Sequence, residues 1–343
     1  MVLRLVKWAF FVGLFVTFLG VYSYSTGRGD EDKTVLIQRG VAVGKIGALL
    51  QSEGVISDPF LFKVLVWGTG GNRRVKAGEY AFKTEMGPLN AVMVLYFSAP
   101  VEHVVTVPEG WNARQIAAIL AAQKLVDPAK FVEIVLSRKS AMKYKLESPN
   151  LEGYLFPDTY TFSRIDGEER IVDRLVQRFF AKVDQNLIAQ AKRQGMSLET
   201  LVTLASIIEK ETGAASEREL ISSVFHNRLK KKMRLQSDPT TIYGIQNFNG
   251  NLTRKDLLTS TPYNTYTIAA LPPGAICSPG LSALQATVHP ANTKYLYFVA
   301  NHLRQHVFSE TYAEHSRAVD QFQKRRATRR QADSERQIGT IRK

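Results

Sequence analysis

The chain has one cysteine and six scattered histidines among its 343 residues, which leaves few ligands for a metal. Cys277 alone cannot form a disulfide within the chain, and it excludes a site built from several thiolates. No His-Glu-x-x-His, Gly-x-Ser-x-Gly, P-loop or dinucleotide fingerprint occurs. We therefore expect no metal site, and the common metalloprotease, serine hydrolase and nucleotide-binding motifs are excluded.

The composition is that of a folded protein, with 45% hydrophobic and 22% charged residues. At roughly 150 residues per domain, the length predicts about two domains. The net charge of +14 is concentrated near the C-terminus, where residues 317–343 hold nine Lys or Arg against three Asp or Glu. This tail has almost no apolar content, so it is expected to be solvated or disordered. A nucleic-acid partner is not expected, because the topology predicted below places the tail outside the cytoplasm.

An uncharged apolar run near the N-terminus predicts a membrane anchor. Residues 8–24 form a stretch at the lower end of the length of a membrane span. Arg4 and Lys7 precede the run and an acidic cluster at residues 30–32 follows it. The positive-inside rule then places residues 1–7 in the cytoplasm and the rest outside. A cleaved signal peptide is the alternative, but no Ala-x-Ala-like site follows the run.

An internal repeat occupies the first half of the chain. Val35–Gly40 matches Val105–Gly110, and the apolar positions after each glycine agree. Each copy predicts a strand, a turn, a helix and a second helix that begins near Asp-Pro. The duplicated α+β region, residues 35–148, resembles the LysM type of glycan-binding module. A duplicated spacer without binding function is the alternative.

Two glutamates near the end of a predicted helix are the strongest candidates for catalysis. Ser197 is a plausible N-cap, and Gly213 marks the C-terminal end. Helical phase puts Glu209 and Glu211 on opposite flanks of the apolar stripe, with Glu211 beside apolar neighbours. Burial would raise the pKa of such a carboxyl, as a general acid requires. The alternative is that both are surface residues paired with bases.

Polar and aromatic residues on loops rich in proline and glycine are candidates for sugar binding, although they also suit ordinary turns and packing. The following helix places Arg228 on its core face, where it needs a carboxylate or another acceptor and could orient an acid. The candidate contacts lie in three segments, around residues 151–160, 235–243 and 261–267. They are Glu152, Asp158, Gln236, Asp238, Tyr263, Asn264 and Tyr266.

Several motifs in order resemble the YceG-like family of endolytic murein transglycosylases. The resemblance covers essentially the whole chain and rests on ASIIEKET, ASERE, VFHNRL, MRLQSDPT, YNTYTIAALPPGAI, ATVHPA and YLYFVA. It implies that the second glutamate of Glu-Lys-Glu, Glu211, is the catalytic acid. The segments containing Glu152, Gln236 and Tyr263 would line the cleft. Departures from the family pattern are the extended basic tail and Cys277 within the PPGAI-x-SPG turn.

The resemblance implies cleavage of the β-1,4 bond between N-acetylmuramic acid and N-acetylglucosamine. The muramyl 6-hydroxyl would act as nucleophile and give a 1,6-anhydro end, so one enzyme carboxyl would suffice and no cofactor is expected. Expected partners are glycan strands and peptidoglycan synthases. The alternatives are a non-catalytic wall-binding scaffold and a hydrolytic muramidase, which would need a second carboxylate. Asp238 and Glu152 are conceivable helpers.

The whole sequence thus predicts an α+β protein held in a bacterial inner membrane by one span. The cytoplasmic N-terminus at residues 1–7 precedes the transmembrane helix at residues 8–24. The LysM-like region at residues 35–148 and a mixed catalytic domain at residues 149–316 follow, both on the periplasmic side. The basic tail at residues 317–343 ends the chain.

Overall fold

The computed structural model describes residues 8, 10–18, 29–71, 74–301 and 305–324. The chain divides into two compact units. The first unit comprises residues 1–105, 120–127 and 160–168, and the second comprises residues 106–119, 128–159 and 169–343. This division differs from a single boundary at residue 148. Residues 106–119 belong to the second unit, where the backbone of Gly110 and Trp111 bonds with Ser278.

The structure confirms the predicted α+β class, with short sheets and many helices. The strands are β1 (Asp32–Ile37), β2 (Gly78–Lys83), β3 (His103–Thr106), β4 (Thr159–Phe162), β5 (Tyr297–Ala300) and β6 (His306–Ser309). They form three two-stranded sheets, β1 with β2, β3 with β4, and β5 with β6. The sheets are small, so most of the core is formed by helices.

The first unit contains three ten-residue helices, α1 (Val43–Ser52), α2 (Pro59–Gly68) and α3 (Pro88–Phe97). The antiparallel pairing of β1 with β2 places Val35 opposite Tyr80. These residues share one buried core with Ile46, Leu50 and Phe62. Asp58 caps α2 by accepting a hydrogen bond from the Leu61 amide at 2.8 Å, and Pro59 occupies the first helical turn.

The repeat has the predicted secondary structure in both copies. The second copy contains β3, α4 (Ala113–Ala122) and α5 (Pro128–Leu136), in the same order as β1, α1 and α2. Gly40 and Gly110 both have φ of +74°, a conformation that favours glycine. The first helix of each copy ends alike, with the amide of Val55 donating to Leu50 and that of Leu125 to Leu120.

The second unit holds most of the remaining helices. They are α6 (Arg138–Lys143), α7 (Gly167–Lys182), α8 (Gln185–Arg193), α9 (Leu198–Glu211), α10 (Arg218–Lys230), α11 (Asp238–Gly244), α12 (Arg254–Leu258), α13 (Leu281–Val288) and α14 (Tyr312–Val319). Residues 201–208 of α9 are all buried. Their apolar side chains pack with Ile221 and Phe225 of α10 and with Ile276. A helix buried all round is the natural support for a fixed site.

Local sequence patterns also predict one amphipathic helix from Ile171 that ends before Gly195, a capping box at Ser216–Glu219 and a buried strand at residues 294–300, and these three expectations are wrong. The apolar stripe from Ile171 onward is divided between α7 and α8, because Asp184 caps a new helix by accepting the Leu187 amide. The Ser216–Glu219 capping box does not form. Residues 215–217 make a 3-10 turn and Glu217 accepts hydrogen bonds from the backbone and ring of His306. The predicted buried strand at residues 294–300 is shorter and mostly half-buried.

The terminal segments are described only in part. Residues 10–18 are helical, and large side chains such as Phe10 and Phe15 are exposed. No helix among the described residues has the length and apolar character needed to cross a membrane. Residues 1–7, 9 and 19–24 of the predicted N-terminus and anchor lie outside the described residues. The tail was expected to be disordered from residue 317, but residues 317–324 are helical, and residues 325–343 lie outside the described part.

Candidate active site

Helix α9 brings the two candidate glutamates to its C-terminal turn. Its N-cap is confirmed, since the Ser197 hydroxyl accepts a hydrogen bond from the Thr200 amide at 3.1 Å. Glu209 and Glu211 are both half-buried and flank the exposed Lys210. Burial is the main cause that raises the pKa of each carboxyl above its ordinary value. Neither glutamate is the exposed surface residue of the alternative interpretation.

Glu211 is held by a single short hydrogen bond from a serine. The Ser237 hydroxyl donates to Oε1 of Glu211 at 2.6 Å. Burial raises the pKa of Glu211, the Ser237 bond lowers it, and the negative charge of Asp238 raises it. Among the residues that the structure describes, Oε2 of Glu211 has no hydrogen-bond partner. One oxygen is therefore anchored and the other is available to a ligand.

The segment that carries Ser237 is fixed by a second polar loop. The Ser237 amide donates to the Thr265 hydroxyl at 3.0 Å, and the Gln236 amide donates to the Thr265 carbonyl at 3.1 Å. Gln236 adopts φ of +50° and its side chain is exposed. Asp238 begins α11 and accepts a hydrogen bond from the Tyr266 hydroxyl at 2.6 Å. The predicted segments around residues 236–238 and 264–266 therefore lie together beside Glu211.

Asn264 has a structural role in its loop. Its Nδ2 donates to the carbonyls of Asp256, Leu257 and Thr259 at 3.2, 3.0 and 2.7 Å. Its Oδ1 accepts from the Thr241 hydroxyl and the Tyr266 amide. The side chain is fully buried, so its polar atoms are used within the loop. These bonds give Asn264 a role in holding the loop, and its contact with substrate stays a prediction.

Arg228 is buried on the core face of α10, as predicted, and its acceptors are backbone carbonyls. Its guanidinium donates to Leu296, Leu235 and Arg234 at 2.6, 2.8 and 3.3 Å. It therefore fastens the segment before Ser237 rather than forming a hydrogen bond with an acid. Its charge is still among the causes that lower the pKa of Glu211.

Glu209 joins the end of α9 to the start of α13. Its Oε2 accepts the Gly280 amide at 3.1 Å, and its Oε1 lies 4.0 Å from Nη2 of Arg218. A Cβ atom at residue 280 would overlap with the carboxylate of Glu109, so a larger residue there would require the Glu109 side chain to move. The nearby charge of Glu109 adds to burial in raising the pKa of Glu209. These contacts give Glu209 a structural role.

Glu152 lies in the wall of a cleft of about 1000 Å³. The Ala113 amide donates to both carboxylate oxygens at 3.1 and 3.2 Å, and the Tyr243 hydroxyl donates at 3.1 Å. Burial raises the pKa of Glu152 to about 7 despite these donors. Tyr263, a predicted contact, also lines the cleft, with its ring 4.8 Å from that of Tyr243. Glu211 does not line the cleft.

Asp158 lies apart from both groups. Its Oδ2 accepts a hydrogen bond from Nε of Arg178 at 2.6 Å. The adjacent Thr159 amide and the Arg178 guanidinium together hold the pKa of Asp158 below its ordinary value. Asp158 does not line the cleft, and its described hydrogen bonds do not involve Glu211.

Sequence reasoning missed four residues that shape the site. Ser237 lies between Gln236 and Asp238, in a segment that the sequence already marked as a candidate for sugar binding. Its hydroxyl, a possible hydrogen-bond donor, was the feature that could have identified it. Tyr243 ended the same segment and lines the cleft, whereas Arg114 and Lys210 line the cleft without a local pattern that marks them. Among the described residues, no group of three or more His, Cys, Asp or Glu could hold a metal ion.

The fold and the site define an α+β protein with a half-buried glutamate at the end of a buried helix, beside a cleft lined by polar and aromatic side chains. The chain belongs to the YceG-like family, whose profile matches residues 35–321.

Two curated relatives carry the name endolytic murein transglycosylase. The Bacillus subtilis (strain 168) protein is 33% identical over 312 residues, which cover 85% of this chain and 86% of that protein. The Streptococcus pneumoniae serotype 2 protein is 28% identical over 78% of this chain, which spans about half, 54%, of its length.

A solved structure is also similar to this chain. The crystal structure of a yceG-like protein from Listeria monocytogenes aligns with a TM-score of 0.58 and 32% sequence identity. The alignment covers 84% of this chain and 99% of the Listeria chain.

Proposed function

We propose that this protein is a lytic transglycosylase that cleaves peptidoglycan strands internally, with Glu211 as its only catalytic carboxyl. The names of the Bacillus and Streptococcus relatives support the reaction class. The observation that carries the residue assignment is the environment of Glu211, which combines burial with a 2.6 Å hydrogen bond from Ser237. A general acid needs a raised pKa, and burial supplies it.

In the proposed reaction, the Glu211 carboxyl donates its proton to the glycosidic oxygen while the bond from that oxygen to C1 of N-acetylmuramic acid breaks. The 6-hydroxyl of the same muramyl residue attacks C1, and the Glu211 carboxylate accepts the hydroxyl proton. The products are a free N-acetylglucosamine 4-hydroxyl and a 1,6-anhydro end, and the carboxyl is regenerated. The nucleophile belongs to the substrate, so proximity replaces an enzyme nucleophile.

The two main influences on Glu211 suit its two roles. Burial favours the protonated form, which is needed when the glycosidic oxygen is protonated. The Ser237 hydroxyl stabilises the carboxylate, which is needed when the 6-hydroxyl is deprotonated. The oxygen Oε2, which has no partner among the described residues, would exchange the proton with substrate.

Hydrolysis is the alternative chemistry, and it requires a second carboxylate that activates water. Glu209 accepts the Gly280 amide, and Asp238 accepts the Tyr266 hydroxyl. Glu152 accepts hydrogen bonds from two donors, the Ala113 amide and the Tyr243 hydroxyl, and is fully buried. Each of the three thus has a structural partner, which favours the lytic reaction. A scaffold without catalysis is disfavoured by the raised pKa of Glu211.

The substrate contacts that we propose follow from position. Gln236, Asp238 and Tyr266 lie on the loops beside Glu211, where they would contact sugar hydroxyls and acetamides. Glu152 and Tyr263 lie in the cleft, which would accept more distant parts of the strand. Asp158 is paired with Arg178 and would act only through the position of its loop.

The remaining parts of the proposal concern placement and partners. Residues 8–24 would anchor the chain in the bacterial inner membrane, with residues 1–7 in the cytoplasm and the two units in the periplasm. Support comes from the uncharged run and the preceding basic residues. The repeated region at residues 35–148 would bind glycan as a LysM-like module. Peptidoglycan synthases would be the partners that supply new strands.

The test is mass spectrometry of wall digested by the purified protein. A lytic product lacks one water relative to a hydrolytic one, so anhydro ends are the expected result. The Glu211→Gln variant should give no anhydro ends while its melting temperature stays near that of the wild type. Reducing muramyl ends from the wild type would overturn the lytic reaction, and full activity of Glu211→Gln would overturn the residue assignment.

A further inference from the structure

The first unit exposes a set of large apolar side chains on two neighbouring helices. The exposed fractions are 75% for Phe60, 77% for Trp67 and 73% for Phe97. We name this set the apolar face, and it consists of Phe60, Val64 and Trp67 on α2 and Leu89, Met93 and Phe97 on α3. Single exposed apolar residues are ordinary, but contiguous groups indicate an interaction surface.

The apolar face is separate from the core of the unit. Phe62 and Val66 of α2 are fully buried, so the core does not need the exposed residues. At about 100° per residue, Phe60, Val64 and Trp67 fall within an arc of roughly 60°. The helix ends that carry Trp67 and Phe97 are held together, because the hydroxyls of Thr69 and Tyr96 lie 2.9 Å apart. The exposed rows therefore belong to one packed pair of helices.

The charged side chains within the two helices and in the adjoining groove are lysines. The sequences of α2 and α3 contain no acidic residue, and the only charged residue within them is Lys63. A groove of about 600 Å³ lies beside Trp67, and Lys45 and Lys63 are the charged residues that line it. Asp58, the acid that precedes α2, accepts the Leu61 amide as the N-cap. An apolar surface edged by lysines is complementary to a lipid bilayer, whose interior is apolar and whose surface carries anionic headgroups.

The length of the chain before the first unit limits its distance from a bilayer. The proposed anchor ends at residue 24, and β1 begins at Asp32. Residues 25–31 can span at most about 25 Å when fully extended. The first unit is then confined near the membrane surface, where its apolar face is at a high local concentration relative to lipid.

We propose that the apolar face docks on the surface of an anionic phospholipid bilayer, with Trp67 and Phe60 at the interfacial layer and Lys45 and Lys63 against lipid phosphates. The inference rests on the anchor of the proposed function. Tryptophan favours the membrane interface, because its ring is apolar and its N–H is polar. A protein partner would also cover apolar side chains, but the tether length and the two lysines favour lipid.

The experiment uses the full chain with one tryptophan at a time. The chain has three tryptophans, Trp8, Trp67 and Trp111. The double variant Trp8→Phe, Trp111→Phe leaves Trp67 as the only emitter, and Trp8→Phe, Trp67→Phe leaves Trp111 as the reference. Each is reconstituted into vesicles of phosphatidylcholine and phosphatidylglycerol, with and without bromine on the acyl chains. Brominated lipid should quench Trp67 and leave Trp111 unquenched.

A second comparison tests the charge. The variant Lys45→Gln, Lys63→Gln in the Trp67-only chain should reduce quenching in anionic vesicles. Each lysine near an anionic surface strengthens association about fivefold. Removal of both lysines should therefore lower the ratio of docked to undocked protein by roughly 25-fold. The matched control is Lys230→Gln, Lys231→Gln, which removes the same charge from the C-terminal end of α10 and the residue after it and should leave Trp67 quenching unchanged.

Flotation separates the two proposals. If the wild-type chain fails to float with vesicles, both the anchor and the docking are overturned. If it floats but Trp67 is unquenched, or is quenched no more than Trp111, the docking alone is overturned. In a third outcome, Trp67 is unquenched by lipid and becomes shielded from iodide only when a protein partner is added. That result would overturn lipid docking and assign the apolar face to the protein partner. Catalysis is measured separately by anhydro ends, so its failure is distinguishable from either result.

Discussion

The Ser237 hydroxyl donates a 2.6 Å hydrogen bond to Oε1 of Glu211, and this pair joins the end of α9 to the loop before α11. The bond stabilises the carboxylate, whereas burial stabilises the protonated acid. The proposed reaction uses both forms of Glu211 in turn. The balance between them sets the pH range in which the first proton transfer operates.

Removal of the serine hydroxyl should move this range upward. Without the Ser237 donor the carboxylate is less stable, so the Ser237→Ala variant has a higher pKa at Glu211. Because the first step needs the protonated acid, the fall of kcat/KM on the alkaline side should shift to higher pH. The measurement is the pH profile of anhydro-end formation, with Ser282→Ala as a control for loss of a hydroxyl elsewhere. If the fall of kcat/KM at alkaline pH stays where it is in the wild type, Ser237 does not stabilise the Glu211 carboxylate.

Neutralising Asp238 should act in the opposite direction. Its negative charge raises the pKa of Glu211, so the Asp238→Asn variant should have a lower pKa there and an alkaline limb at lower pH. Asparagine can still accept the hydrogen bond from Tyr266. Tyr266→Phe keeps the charge and serves as the matched control. A shift to higher pH in Asp238→Asn would show that the charge does not act on Glu211.

The two glutamates of α9 should differ sharply in their effect on activity. Loss of a positioned general acid typically lowers the rate by about 10² to 10⁴, and Glu211→Gln should fall by that amount. Glu209→Gln keeps an oxygen acceptor for the Gly280 amide and should remain within a few-fold of the wild type. Rates of anhydro-end release and melting temperatures of both variants check the prediction. Equal losses in both variants would exclude the assignment of Glu211 alone.

Glu152 should make the stability of the second unit depend on pH. Its pKa is about 7 in the folded protein, against an ordinary value of 4.5, so the folded state binds more protons between these values. The free energy of unfolding should therefore fall as pH rises from 4.5 to 7, by about 3 kcal/mol at 1.36 kcal/mol per unit. Glu152→Gln should remove this fall. Denaturant unfolding across the pH range measures it, and identical slopes for both proteins would refute the prediction.

Local patterns were sufficient for several elements. The repeat, the class of the fold and the Ser197 cap of α9 were all predictable, because each depends on residues close together in the chain. The patterns failed where a distant partner competed for a side chain. Glu217, inside the predicted Ser216–Glu219 capping box, bonds to the distant His306, and the box does not form. The division of the apolar stripe from Ile171 is different, since Asp184 caps a new helix through the nearby Leu187 amide.

The candidate site shows the same limit. Helical phase narrowed the choice to Glu209 and Glu211, because both flank an apolar stripe whose direction the sequence contains. The sequence by itself determined that two acids end a buried helix. Only the tertiary structure decided their contacts, since Glu209 accepts the Gly280 amide and Glu211 accepts the Ser237 hydroxyl, each across a long separation in sequence. Burial and hydrogen bonding set a carboxyl's pKa, and both depend on which distant segments fold against it.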